Sequence, residues 1–461
     1  MAKSKFKIPV KCEDQMELSV EDIASSGDGI SHFRGYTLFI PQAVKGDRVL
    51  VKVIKTTPRF GVAQTVRLII PSPDRIQQEC PIYLDCGGCQ LQHLTYDKQI
   101  EFKKTVVKDN LERIGKIKLN FEPEIIPARE PFFYRNKGIF SFKRTRKGLK
   151  VGFFAQETHR VVDIRECPIL LKPINEVKEA IRLIIEKNNI AIYNELHHKG
   201  FLRSLIIRVS EKTKETLIGL VTTEGDFNEQ VIQEIKEIKN SLKENYRIAG
   251  IVQNINPLKT NIILGTENRL LWGRDYLNEL IKGIQYQLSL SSFFQINPYQ
   301  AETLFEIVED MLKGVKGKIL DTYCGVGSIT LPIAKQFSSV IGIEENKEAV
   351  KDARKNAERN GINNCSFIAG TTEGYLKNLE GITDIGAIIL NPPRKGCSEE
   401  VLNSLLRIKP QRVVYISCNP STLSRDLNKL CSTEYVIKKV KVIDMFPQTI
   451  HMETVVLLER E

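Results

Sequence analysis

The chain has 461 residues, 42% of them hydrophobic, which is enough for two to four domains with real cores. Its 67 Lys+Arg against 56 Asp+Glu give a net charge of +11, a balance that suits a polyanionic partner. No apolar run approaches the roughly 18 residues of a membrane span, and "MAKSKFKIPVKCEDQ" lacks the apolar core of a signal peptide, so a cytoplasmic protein with no membrane contact is expected.

In chain order, residues 9–70 read as a small antiparallel β-unit. "SSGDGIS" and "VKGDRV" are turns, "RVLVKVIK" alternates at the strand period of two, and the prolines of "IPSPDR" close the unit. A cysteine-rich segment over 75–95 precedes a helix over 96–114. From about 120 to 290, strand-like runs such as "GIFSFKR", "RSLIIRVS" and "ETLIGLVTT" alternate with helices over 173–188 and 228–243. From about 293 a regular β-α alternation predicts a mostly parallel sheet covered by helices. The expected division is therefore 9–70, 71–290 and 291–461, with the middle part α+β.

The ten cysteines fit a reducing compartment, where they read as ligands, nucleophiles or core fillers before disulfides. "ECPIYLDCGGCQLQHL" places Cys80, Cys86 and Cys89 with five and then two residues between them, and Cys167 in "IRECPIL" shares the Cys-Pro context of Cys80. Four thiolates suit zinc or an iron–sulfur cluster. The Cys-x3-Cys-x2-Cys pattern of radical enzymes is not matched. Between them and the last part, "YRNKGIFSFKRTRKGLKVGFF" (134–154) interleaves seven Lys/Arg with five aromatics, as a base-stacking, phosphate-holding surface would and as an ordinary sheet with one wet face also would.

The last part carries the chemistry. "KGKILDTYCGVGSITLPIAKQF" is a strand, a glycine turn and a helix; Thr330 stands where a dinucleotide fingerprint needs its third glycine. Glu344 ends the next strand, "SSVIGIEEN", where a carboxylate can accept from both hydroxyls of a ribose. Ligands of open parallel sheets bind beyond the carboxyl ends of the strands, and Tyr323, Glu344, Asn391 and Cys418 each follow such an end. The final strand follows the sixth without a crossover helix, so it should run antiparallel and bring Glu453 to the same edge. Ser421 and Thr422, after Asn419-Pro420, are candidate caps of the helix behind Cys418.

"LNPPRKG", "YISCNPSTLSRD" and "HMETVVLLER" resemble the signatures of the RNA (uracil-5-)-methyltransferase family, "SFFQINPYQAETL" is similar to its cofactor-side segment, and the N-terminal unit resembles a TRAM domain, the OB-like RNA-binding barrel of the family's ribosomal RNA branch. The resemblance covers nearly the whole chain. It implies a C-terminal class I, Rossmann-like α/β domain with a seven-stranded sheet, using S-adenosylmethionine held by Gln295, Tyr323, Glu344 and Asn391. Asn391 departs from the Asp many relatives carry there. Cys418 would be the nucleophile and Glu453 the base. It further implies a [4Fe-4S] cluster on Cys80, Cys86, Cys89 and Cys167, and RNA as partner, 23S ribosomal RNA before the T-loop of transfer RNA, with no protein partner required. Two rivals stand beside it. One is a non-catalytic RNA-binding or cluster-assembly factor on the same fold. The other is amino-group methylation, whose Asn-Pro-Pro-Tyr motif has Arg394 in place of the aromatic here.

Overall fold

The computed structural model describes residues 8–156, 158–379 and 384–461. The N-terminal unit is a six-stranded sheet in the order Gln15–Ser19, Arg48–Thr56, Phe60–Ile70, Tyr36–Ile40, Gly29–Phe33, Asp22–Ile23. The alternation in Arg48–Thr56 sends Val49, Val51 and Val53 inward onto Leu38, Ile40 and Ala63. One pairing is not antiparallel as expected. Tyr36–Ile40 runs parallel to Phe60–Ile70, with Leu38 opposite Gly61. That contact needs glycine, because a Cβ at Gly61 would meet Leu38 Cδ2 at 2.7 Å.

A seven-stranded central sheet follows, in the order Val161–Asp163, Gly148–Phe154, Lys137–Thr145, Leu202–Ser210, Glu215–Thr222, Arg247–Ile255, Glu267–Gly273. Leu202–Ser210 is buried along nearly its whole length, its Arg208 and serines included, because both its faces are covered. Leu205, Ile207 and Val209 pack on helices Lys172–Lys187 and Glu229–Glu237, while Ile206 packs against the C-terminal core. The second of these helices is shorter than its sequence pattern, ending in a 3-10 turn at Ile238–Asn240.

The C-terminal sheet runs Cys365–Ala369, Val340–Glu344, Lys318–Thr322, Ile385–Leu390, Arg412–Ser417, Glu453–Arg460, Tyr435–Ile443. The first five strands are parallel, and Glu453–Arg460 is antiparallel to both neighbours. Chain order reverses between Lys318–Thr322 and Ile385–Leu390, which opens a crevice at that point. The expected seven strands are joined by an eighth, Glu124–Ile126, pairing parallel to Tyr435–Ile443 from the far side of the 290 boundary. The hairpin Tyr276–Ile281 and Ile284–Ser289 also belongs by packing to the C-terminal core, through Leu277, Ile281, Tyr286 and Leu288. Among the described residues no helix is long and apolar enough to cross a membrane.

Candidate active site

The crevice is a cavity of about 570 Å³, a size suited to a small-molecule ligand. Gln295, Tyr323, Glu344, Asn391, Cys418 and Glu453 all line it. The floor is the turn after Lys318–Thr322. Tyr323, Gly325 and Gly327 have φ of +62°, +56° and +82°, so the chain doubles back sharply there. A Cβ on Gly327 would meet the Phe367 ring at 3.1 Å, whereas nothing lies within 4 Å of one on Gly325, which faces open space. Glu344 is fixed by this turn: its carboxylate accepts from Gly325 N at 3.1 Å and from Asn346 N at 2.8 Å. Each oxygen keeps further lone pairs for a ligand hydroxyl. Gln295 is 6% exposed and lies on the segment before helix Pro298–Leu312.

Cys418 sits between strand Arg412–Ser417 and helix Pro420–Cys431. The cap is Asn419, whose side chain accepts from Ser421 N, rather than Ser421 or Thr422 themselves. Pro at the first helical position needs no hydrogen bond there, which suits the Asn-Pro pair. The positive end of this helix dipole favours a thiolate just ahead of it. Asn419 Nδ2 and Thr422 Oγ1 both donate to the Arg394 carbonyl, at 3.0 and 3.1 Å, tying the Pro-Pro-Arg loop to the cysteine turn.

Burial pushes the Cys418 thiol above its ordinary value and the charge of Glu453 adds to the rise, while the Arg394 guanidinium, which also hydrogen-bonds it, opposes both. Glu453 is 7% exposed, and burial pushes its carboxyl up to about 8 against the opposing charge of Arg394. A carboxyl that is neutral near pH 7 and a thiol share one cation. Sequence reasoning had noticed Arg394 only for the aromatic it replaces; a cation two residues past Asn-Pro at a strand end was the available signal. It also passed over Phe293, a cavity-lining residue 73% exposed that offers a free ring face at the lip.

Cys80, Cys86, Cys89 and Cys167 lie elsewhere, together lining a small cavity walled by Ile82, Tyr83, Phe153, Ile164 and Ile169. All four are free thiols. Gly88 N donates to Cys86 Sγ at 3.4 Å, and a Cβ on Gly88 would lie as close to that sulfur. Burial pushes Cys89 up to about 12 and Cys167 to about 11. Among the described residues no group of three or more His, Cys, Asp and Glu side chains is set to hold a metal ion.

The crossover pattern and the switch-point cavity are those of a class I methyltransferase. Residues 95–461 match the tRNA (uracil-5-)-methyltransferase family and residues 14–66 match the TRAM domain. Over 459 residues, 99% of each chain, the protein is 38% identical to an uncharacterized RNA methyltransferase of Halalkalibacterium halodurans. It is 38% identical over 460 residues, 98% of each chain, to another of Clostridium acetobutylicum. The tRNA (uracil-54, C5)-methyltransferase of Pyrococcus abyssi, solved in complex with S-adenosyl-L-homocysteine, is similar in structure with a TM-score of 0.77 and 30% identity, over 96% of this chain and 100% of its own. The chain belongs to the tRNA (uracil-5-)-methyltransferase family and is an RNA methyltransferase.

Proposed function

We propose that the protein methylates carbon 5 of a uridine in RNA, with S-adenosylmethionine as methyl donor and Cys418 as covalent catalyst. The observation that carries the reading is the meeting of Cys418 and Glu453 in the cavity lined by Gln295, Tyr323, Glu344 and Asn391, with Arg394 beside both. S-adenosylmethionine supplies an electrophilic methyl group; Glu344 would take its ribose hydroxyls, and Gln295, Tyr323 and Asn391 its remaining polar atoms.

Carbon 5 of uracil is too weak a nucleophile to act unaided. Once its proton has passed to solvent, the Cys418 thiolate forms an S–C6 bond, and the electron pair displaced from the C5–C6 double bond makes C5 an enolate carbon. C5 then takes the methyl as the donor's S–CH3 bond breaks and its sulfur leaves as a neutral thioether. Arg394 stabilises the thiolate and then offsets the charge of Glu453. The Glu453 carboxylate removes the C5 proton, the double bond reforms and the S–C6 bond breaks, returning the thiolate. The target base must leave its stack to reach Cys418.

We assign 23S ribosomal RNA as the substrate and the cytoplasm as the location. The T-loop uridine of transfer RNA is the second reading, favoured by the Pyrococcus enzyme, whose alignment over its full length means that the barrel alone does not select ribosomal RNA. Mapping 5-methyluridine in both RNAs from a deletion strain separates the two. The four thiols share the second cavity, one of them accepting from an amide, and on that gathering we propose a [4Fe-4S] cluster. It would be held by Cys80, Cys86, Cys89 and Cys167 and would serve structure, since methyl transfer needs no redox step.

The catalytic test is a pair of variants. Cys418→Ala should bind RNA and cofactor yet transfer no methyl group. Glu453→Gln should methylate and then accumulate as a covalent protein–RNA adduct on a denaturing gel. RNA with 5-fluorouracil should trap the unaltered protein in the same way. Turnover by Cys418→Ala would end the proposal.

A further inference from the structure

A second large cavity, of about 560 Å³, lies on the central sheet and plays no part in the chemistry above. Its floor comes from the basic and aromatic stretch 134–154, through Ser141, Phe142, Lys143 and Phe154. Most aromatics of that stretch are core: Tyr134, Phe140 and Phe142 are buried, and Phe140 stacks on Phe153 at 5.2 Å. Phe154 is half-buried and faces the cavity beside His159, ring centroids 5.3 Å apart.

The opposite wall is the loop at 259–263, held in place by one arginine. Arg203 donates to the carbonyls of Asn256 at 2.6 Å, Leu258 at 2.7 Å and Thr260 at 3.2 Å, and its guanidinium lies 4.5 Å from the centre of the Tyr193 ring. Tyr193 in turn bonds His198 at 2.9 Å. The cleft is therefore built by interlocked polar side chains, and its shape does not wait for a ligand.

Charge and position narrow what it takes. Lys143 and Lys259 are exposed on its rim, and among the described residues neither has a carboxylate at ion-pair distance. Leu196 and Ile262 beside them are 81% and 66% exposed, an apolar lip next to free cations. The pairs Ser141–Ser204, Ile139–Ile206 and Lys137–Arg208 lie in successive same-face rows of the paired strands Lys137–Thr145 and Leu202–Ser210. The first row is in this cleft. The last reaches the active site, because Arg208 donates to the carbonyl of Ser292, a residue of the catalytic cavity. Four residues of strand, about 13 Å, separate Ser204 from Arg208. The row between them, Ile139–Ile206, packs under the C-terminal core, so an RNA reaching both cavities passes over the outside of that contact.

We propose that this cleft is a second nucleotide site, holding an unpaired nucleotide of the RNA a few positions from the target uridine, its base against Phe154 and its phosphates on Lys143 and Lys259. An acidic protein segment would use the lysines but leave the ring face idle. The inference rests on RNA being the substrate, and it assigns part of the selectivity to a nucleotide that undergoes no chemistry.

The test uses the full chain and a synthetic RNA stem-loop that it methylates, with single abasic substitutions at each position flanking the target. One abasic position should weaken binding roughly 5- to 100-fold, the range for loss of one stacked base. Phe154→Ala should lose a similar factor and be indifferent to that same position. Lys143→Ala combined with Lys259→Ala, both on the surface, should weaken all RNAs alike and flatten the salt dependence by about two counterions. S-adenosylhomocysteine binding should not change in any of these. Unaltered RNA affinity in the double lysine variant, or abasic sensitivity retained by Phe154→Ala, would overturn the site. Either failure would leave the catalytic proposal standing, since 5-fluorouracil trapping at Cys418 is read separately.

Discussion

Gln99 and Gln448 clasp each other. Gln99 Nε2 donates to Gln448 Oε1 at 3.0 Å, and Gln448 N donates back to Gln99 Oε1 at 3.1 Å, both side chains buried. The Gln448 carbonyl also accepts from Gln90 N and Leu91 N, at 3.1 and 3.0 Å, just past Cys89 in the cysteine segment. Gln448 lies on the connection from Tyr435–Ile443 to Glu453–Arg460, five residues before Glu453. The cysteine segment and the helix Tyr96–Arg113 are thus joined to the chain that delivers the proposed base. A group held as proposed by Cys80, Cys86, Cys89 and Cys167 would thus have a route to the active site without electron transfer.

Replacing Gln448 by Ala leaves the main-chain bonds and the bond from Gln99 Nε2 to the Leu94 carbonyl, but takes the partner from one N–H of the buried Gln99 amide. The expected cost is about 1–3 kcal/mol. Turnover should fall through slower resolution of the covalent adduct, with S-adenosylhomocysteine affinity unchanged. Thermal melting with rapid-quench gels measures both.

The same connection is anchored at its start by a buried ion pair. Lys103 Nζ lies 2.5 Å from Asp444 Oδ1, both side chains fully buried, and Tyr96 donates to Asp444 Oδ2 at 2.8 Å. Burial holds the Lys103 ammonium below its ordinary value, and the charge of Asp444 opposes that. Asp444→Leu should destabilise by about 3–5 kcal/mol because it strands a buried cation, while combining it with Lys103→Met should cost less than either single change. Denaturant titration of the four proteins closes the cycle.

The proposed cluster makes a compositional prediction. Anaerobically purified protein should be brown and hold about four irons per chain. Serine at Cys86 or Cys89 should bleach it. Stoichiometric zinc without iron in such material would replace the cluster by a zinc site.

What could be read beforehand follows the range of the forces involved. Val49, Val51 and Val53 alternate because pleating alone dictates it, and the glycine turn at 325–327 is written locally. Tyr323, Glu344, Asn391 and Cys418 could be gathered because each lies at the end of a strand, and Glu453 because its strand starts on the same edge; Gln295 came only from the resemblance. Parallel pairing of Leu38 with Gly61 was not legible, since the direction in which two strands distant in the chain meet is set by tertiary packing and not by the period of either. Glu124–Ile126 is too short to carry a period, and joins the sheet only because Tyr435–Ile443 leaves an open edge. The hairpin at 276–289 alternates like any other; which core it joins is set by tertiary packing. Arg394 acts through a turn that brings its guanidinium back onto Cys418, a contact no spacing rule contains.

The last prediction concerns pH. Glu453 has a carboxyl raised to about 8 by burial, so it is mostly protonated at pH 7 and cannot yet serve as a base. The groups around it are Cys418, itself raised, the Arg394 guanidinium, and His451, which burial and then the Arg394 charge lower to about 4, leaving it neutral. Adduct resolution should therefore rise tenfold per pH unit below about 8 and level off above it, as a carboxylate base requires. Stability should run the other way. A carboxyl ordinarily near 4.5 and raised in the fold keeps its proton longer than in the unfolded chain, so the folded state loses relative stability as pH climbs from 4.5 to about 8. Glu453→Gln should abolish the first slope and make the second shallower, since buried Glu279 and Asp321, each raised to about 7, keep their share of it. The measurement is decay of a pre-formed methylated adduct from pH 6 to 9, beside melting temperatures in the same buffers. A decay rate flat across that range in the unaltered protein would remove Glu453 from the proton-transfer step.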